Sequence, residues 1–234
     1  TAVCDMVDRT STEISPWTLV EANDKRWARV KVLRTINDAL DDGARHAPDK
    51  LALTAMRAED GSLTRFTYRE LARMADRVGV GLARLGVGAG DVVACQLPNW
   101  WQFTVMYLAC SRIGAVMNPL MPIFRERELG FMLTHGEAKV FVVPRLFRGF
   151  DHEQMALGLQ AQLPLLKHVI AVDGAGDNSF ERLLSGPAWE QEADAQTILT
   201  RHRPGPDDVT QLIYTSGTTG EPKGAMHSAN TLFS

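Results

Sequence analysis

The sequence predicts an α/β fold built on a mainly parallel sheet flanked by helices. Three observations lead there: strands and helices alternate from Val92 to Val172; one long helix in front of them carries a single apolar stripe; and the short apolar run Gln211–Tyr214 breaks abruptly into glycines and hydroxyls. Strand, helix, strand connections of this kind place neighbouring strands parallel and helices on both faces.

Residues 1 to about 32 are polar with isolated anchors at Trp17, Leu19 and Trp27, the pattern of an extended arm. Thr35 to Ala44 reads as a helix with Ile36, Ala39 and Leu40 on one face. Leu51 to Met56 and Leu63 to Thr67 are antiparallel partners across a turn carrying Asp60-Gly61. Thr67-Tyr68-Arg69-Glu70 forms a capping box, and Leu71, Ala75, Val78, Leu82 and Leu85 then recur at helical spacing. Glycines alternate from Gly86 to Gly90, but they follow a helix instead of a strand, so they mark a helix end and a turn and not a dinucleotide fingerprint.

Val92 to Leu97 is a buried-type strand, and Pro98-Asn99 ends it and caps a helix from Trp100 to Ile113. Trp100 and Trp101 could line an apolar pocket, although aromatic residues at helical spacing usually belong to a core. Ala115 to Asn118, Lys139 to Val143 and Leu166 to Val172 are further strands, with helices at Arg125 to Thr134 and Asp151 to Gln162. A short helix follows at Phe180 to Leu184, and Gly186 to Asp208 reads as a long surface connection.

Composition excludes several classes. With 234 residues, 45% apolar and 23% charged, the chain can bury a sizeable core. A net charge of −3 with scattered Lys and Arg offers neither a basic stripe for nucleic acid nor a polybasic membrane anchor. No apolar run reaches the roughly 20 residues of a membrane span. Cys4, Cys95 and Cys110 are widely spaced and odd in number, which argues against a disulfide framework or a zinc site; Cys95 and Cys110, in apolar surroundings, read as core fillers, and a reducing cytoplasm is the natural setting. The histidines are scattered, and no G-x-S-x-G accompanies them.

The stretch with chemistry in it is YTSGTTGEPKG, from Tyr214 to Gly224. Gly217 and Gly220 let backbone N–H groups converge on an anion. The hydroxyls of Thr215, Ser216, Thr218 and Thr219 add neutral donors, and Lys223 adds a mobile charge, so the loop reads as a polyphosphate cradle. The P-loop of ordinary nucleotide hydrolases does not fit, because Pro222 and Gly224 stand where that pattern needs glycine and a metal-binding hydroxyl. A solvated flexible loop would account for the composition but not for the strand before it or the proline and lysine after it.

These residues resemble the phosphate-binding loop of the adenylate-forming superfamily, which includes acyl- and aryl-CoA ligases, luciferases and peptide-synthetase adenylation domains. FTYREL, Phe66 to Leu71, and LACSRIGAVMNPL, Leu108 to Leu120, resemble two further core motifs of that family. The likeness runs from about Thr35 to the end and is strongest to medium-chain fatty acyl-CoA and cyclohexanecarboxylate-CoA ligases. It implies part of a large N-terminal domain. Residues 1–87 would belong to a neighbouring layer, and residues 88–234 would form the α/β subdomain that ends in the loop.

By the same resemblance, Thr215, Ser216, Gly217, Thr218, Thr219 and Gly220 hold the β- and γ-phosphates of ATP with Lys223 assisting. The parent enzyme is then an acid-thiol ligase using ATP, magnesium and CoA on a medium-chain or alicyclic carboxylic acid. The catalytic, adenine-binding and metal-binding residues would lie beyond Ser234, so no catalytic or metal residue is assigned here, and the fragment alone is expected to be inactive. An aryl acid or a carrier-protein acceptor, or a non-catalytic nucleotide-binding module, are the alternatives. Many relatives carry a histidine where this chain has Ala229, which leaves His227 with a structural or solvent-facing reading.

Overall fold

The computed structural model describes residues 37–201, 204–205, 207–215 and 222–228. The N-terminal arm and residues 216–221 of the cradle lie outside them. The first described element, α1, is helical over residues 37–46. It is followed by the hairpin β1 (Leu51–Met56) and β2 (Leu63–Thr67). Helix α2 (Tyr68–Arg84) starts in the expected capping box, with the Thr67 hydroxyl accepting from the Glu70 N–H and the Glu70 carboxylate accepting from the Thr67 N–H. It ends where Gly86, at φ 83°, turns the chain left-handed. The Val87 N–H then donates to the Leu82 carbonyl and the Gly86 N–H to that of Ala83, a closed helix terminus.

Six strands form the central sheet: β3 (Val92–Cys95), β4 (Val116–Pro119), β5 (Ala138–Pro144), β8 (His168–Val172), β9 (Val209–Thr215) and β10 (Lys223–Ser228). Their spatial order is β10-β9-β4-β3-β5-β8. All neighbours are parallel except β10, which runs antiparallel to β9 along the edge. The period-2 alternation of these strands decides what each helix covers. Val93, Cys95, Met117, Val140, Val142, Ile170 and Val172 face one core with α2, α3 (Trp101–Ile113) and α6 (Ala195–Arg201). Ala94, Phe141, Val143 and Val169 face the other, against α4 (Glu126–His135) and α5 (His152–Gln160).

Three local readings are corrected, and one small hairpin was not anticipated. Trp100 does not open α3 and Asn99 does not cap it: Trp100 occupies the cap position without a side-chain cap bond. It is 5% exposed, while Trp101 packs on Phe66 and Phe180 at 5.3 and 5.9 Å, so both tryptophans belong to the core. The stretch Gly186–Asp208 is not only a surface connection, since α6 sets Ala195 and Leu199, one helical turn apart, into the core beside α2 and α3. The short helix expected at Phe180–Leu184 is a π-type turn at Glu181–Ser185. A small hairpin, β6 (Leu146–Phe147) and β7 (Phe150–Asp151), follows β5, with Arg148 and Gly149 at φ 51° and 77° in its turn.

The β1–β2 hairpin is tied to the carboxyl edge of the sheet. Arg57 lies 3.9 Å over the Trp100 ring and pairs with Asp173, the residue that follows β8. Cys95 and Cys110 are buried as expected, and burial pushes both thiols up, Cys110 to about 12. Among the described residues no helix is long and apolar enough to cross a membrane.

Candidate phosphate-binding edge

Of the seven residues read as the cradle, Thr215 and Lys223 are described. Thr215 is the last residue of β9 and exposed, at the carboxyl edge where open α/β sheets receive ligands. Lys223 opens β10 and pairs across from Thr215. The chain therefore leaves β9 and returns to it within seven residues, 216 to 222, with a hydroxyl on one side of the exit and an exposed ammonium on the other. Ser216, Gly217, Thr218, Thr219 and Gly220 fall outside the described residues.

The base of this exit is held from one side by Tyr214. Its hydroxyl donates to the Met132 carbonyl and is met by His135 Nδ1, both at 3.0 Å, so the imidazole is the donor in the second bond. Burial pushes the Tyr214 hydroxyl up, which keeps it a donor at neutral pH. Two glycines make room for it. A Cβ on Gly136 would stand 3.1 Å from the Tyr214 hydroxyl and 2.9 Å from Leu212, and one on Gly224 would stand 3.2 Å from each of the two side chains. His227 sits on β10 opposite Gln211, half-buried, away from the exit.

Three neighbouring strand exits complete the edge. After β4 the chain runs through Leu120, Met121, Pro122, Ile123 and Phe124, with Met121 54% and Ile123 68% exposed. After β5 come Arg145 and Arg148, both exposed. Between these exits, just after β3, lies Gln96, fully buried and hydrogen-bonded to His152. The sequence reading missed this pair. The available signal was a polar residue, Gln96, inside an apolar strand.

His152 is completely enclosed, and its burial, with the Arg125 guanidinium nearby, pushes its pKa down to about 4. The unfolded chain titrates near 6.5, so between these values the unfolded state binds more protons and stability falls as the pH drops. His152→Asn removes the titration. Denaturant unfolding of the wild type should lose about 3 kcal/mol relative to that variant between pH 7 and pH 4. Parallel pH profiles for the two proteins would show that His152 is not held neutral.

Comparison with known proteins identifies the family. A family model described as "AMP-binding enzyme" matches residues 40–234. A second, "Polyphosphate kinase 2 (PPK2)", matches residues 1–48, most of which precede the described chain. The medium-chain fatty-acid–CoA ligase of Escherichia coli is 36% identical over 189 residues, covering 81% of this chain and 32% of its own. A Mycobacterium tuberculosis protein named salicyl-AMP ligase / salicyl-S-ArCP synthetase is 38% identical over 195 residues, again 81% of this chain and 32% of its own. The solved Mycobacterium tuberculosis fatty acyl CoA synthetase superposes with a TM-score of 0.65 at 25% identity, over 86% of this chain and 35% of that one. The chain thus spans about a third of the length of the curated relatives it matches.

Proposed function

The chain belongs to the AMP-binding enzyme family, and from that premise we propose that the full-length protein activates a carboxylic acid with ATP and passes the acyl group to CoA. A medium-chain or alicyclic acid is the substrate class, supported by the likeness to a ligase named for medium-chain fatty acids. The observation that carries the reading is the β9 exit: a partly buried strand that ends in Thr215 at the carboxyl edge, with Lys223 paired across from it at the other end of the Gly- and hydroxyl-rich loop.

In the first step an acid oxygen attacks the α-phosphorus of ATP, the bond to the bridging oxygen breaks, and pyrophosphate leaves. Negative charge grows on the leaving group, so preorganised donors around the β- and γ-phosphates lower the barrier without reacting themselves. Thr215, Ser216, Gly217, Thr218, Thr219 and Gly220 fill that role here, and Lys223 offsets charge on the departing pyrophosphate. In the second step the CoA thiol attacks the acyl-AMP carbonyl and AMP leaves.

The donor set of hydroxyls, amides and one lysine suits polyphosphate. Magnesium would enter as the counter-ion of ATP. The cytoplasm, where ATP and CoA are found, is the setting that fits. Residues 1–87 and 88–234 are adjoining parts of one large domain in this reading.

Pyrophosphate exchange tests the proposal. With the full-length protein, labelled pyrophosphate should enter ATP only when the right carboxylic acid is present, while residues 1–234 alone should give no exchange. No exchange by a folded full-length protein across a panel of acids would leave only phosphate binding. A second reading, in which the acceptor is a carrier-protein thiol, is supported by the relative named salicyl-S-ArCP synthetase. Acyl-CoA formation after exchange separates the two acceptors.

A further inference from the structure

The strand order reverses at β3. From β3 the chain moves to β4 on one side and then crosses to β5 on the other. Helix α3, which follows β3, covers one face, and α5, which follows β5, covers the other. The chains leaving β3 and β5 therefore turn toward opposite faces, and beyond the last ladder bond, from the Gln96 N–H to the Val142 carbonyl at 2.8 Å, open α/β sheets usually leave a crevice for a ligand. Here the crevice is filled from within.

Gln96 is completely buried at that point, and its Nε2 donates to the carbonyls of Met121 at 2.9 Å and Phe124 at 3.1 Å. With both amide hydrogens used, Oε1 is the acceptor toward His152 Nδ1 at 3.2 Å, and this bond places the imidazole proton on Nδ1. His152 begins α5, and its backbone N–H donates to the Arg145 carbonyl at 3.0 Å. Phe150 closes edge-on over the ring at 4.9 Å, and Nε2 has no partner. One side-chain pair thus connects the exits of β3, β4 and β5.

Two apolar side chains would fill this space at lower cost than a buried amide and an imidazole with one unpaired nitrogen. What the polar pair adds is control over the β4 exit. Gln96 holds the carbonyls of Met121 and Phe124 inward, and Arg125 Nη1 holds those of Pro122 and Phe124 at 2.8 Å. With the carbonyls turned in, Met121 and Ile123 project outward. Because β4 is the sheet neighbour of β9, this loop leaves the edge about 5 Å from the strand that ends in Thr215.

We infer that Gln96 and His152 are positioning residues: their hydrogen bond fixes residues 120–125 so that Met121 and Ile123 form a rigid apolar wall beside Thr215, against which the reacting acid is oriented. The inference rests on reading this edge as the place of acid activation. Neither residue touches the reactants, and both act through the loop.

The test uses the full-length protein and two readouts. In acid-dependent pyrophosphate exchange, Gln96→Leu and His152→Leu should lower kcat about 10- to 100-fold with the KM for ATP within about twofold, the penalty of a misplaced orienting surface. His152→Asn, whose amide N–H replaces that of Nδ1, should recover activity to within about threefold of wild type. Hydrogen exchange of residues 120–125 should accelerate in the two leucine variants and not in His152→Asn. A purely structural role would lower the thermal midpoint, leave kcat per folded molecule unchanged and give no recovery with asparagine, which would overturn the inference. Unchanged protection of residues 120–125 in Gln96→Leu would overturn it whatever the kinetics. If the wild type exchanges with no acid at all, the acid-activation reading fails and the wall role with it, while hydrogen exchange still decides whether the pair holds the loop.

Discussion

In the full-length protein, Thr218→Val should slow acyl-adenylate formation by about 100-fold while leaving the fold intact. The substitution keeps the shape and β-branching of the side chain and removes one donor from the loop between β9 and β10. A donor aimed at phosphate oxygens that gain charge as the α-phosphorus is attacked contributes about 3 kcal/mol in the transition state and far less in the ground state. The loss should therefore fall mainly on kcat in single-turnover adenylation, with the KM for ATP changing only a few-fold. Thr218→Ser, which restores the hydroxyl, should recover most of the rate. Thr218→Val within threefold of wild type would remove this hydroxyl from the reaction, and the same result at Thr215 would leave the Ser216 and Thr219 hydroxyls, the backbone amides and Lys223 as the cradle.

The largest expected loss of stability comes from Arg112→Met, about 2–4 kcal/mol by denaturant unfolding. Arg112 lies on α3 with its side chain only 9% exposed, held between Asp41 of α1 and Asp76 of α2. Its Nε reaches Asp76 at 2.8 Å and its Nη1 reaches Asp41 at 3.1 Å. One guanidinium thus joins three helices on one face of the sheet. Methionine fills much of the volume but removes the guanidinium that the two carboxylates share. Both carboxylates keep some contact with water, 27% and 31% exposed, which places the cost below that of a fully enclosed pair. Arg112→Lys should fall between the two, having the charge but not the planar fork. A variant with an unchanged midpoint would show that the three-helix junction is held by packing alone.

The local pattern was readable wherever one face of an element is buried. Leu71, Ala75, Val78 and Leu82 announced α2, and the Thr67–Glu70 box fixed its start to the residue. The same logic failed between Gly186 and Asp208. Charge, proline and small polar residues masked a seven-residue helix whose buried stripe is only Ala195 and Leu199. It failed again at β6–β7, because two-residue strands have no period to detect, and because a two-residue turn at positive φ is signalled by Asn-Gly, not by Arg148-Gly149.

By itself, the sequence determined the α/β class and the bounds of most strands and helices, and it is the source of the proposed cradle from Thr215 to Lys223. These are properties of neighbours a few residues apart, and short-range chemistry writes them into composition and spacing. Only the tertiary structure decided that β9, the fifth strand of the sheet in chain order, inserts beside β4, that β10 folds back antiparallel along its edge, and that Gln96 meets His152 across 56 positions of chain. Strand order depends on which apolar faces meet in the folded core, and a single buried hydrogen bond has no periodicity. Both come from contacts between residues far apart in the chain, and no local window of sequence contains them.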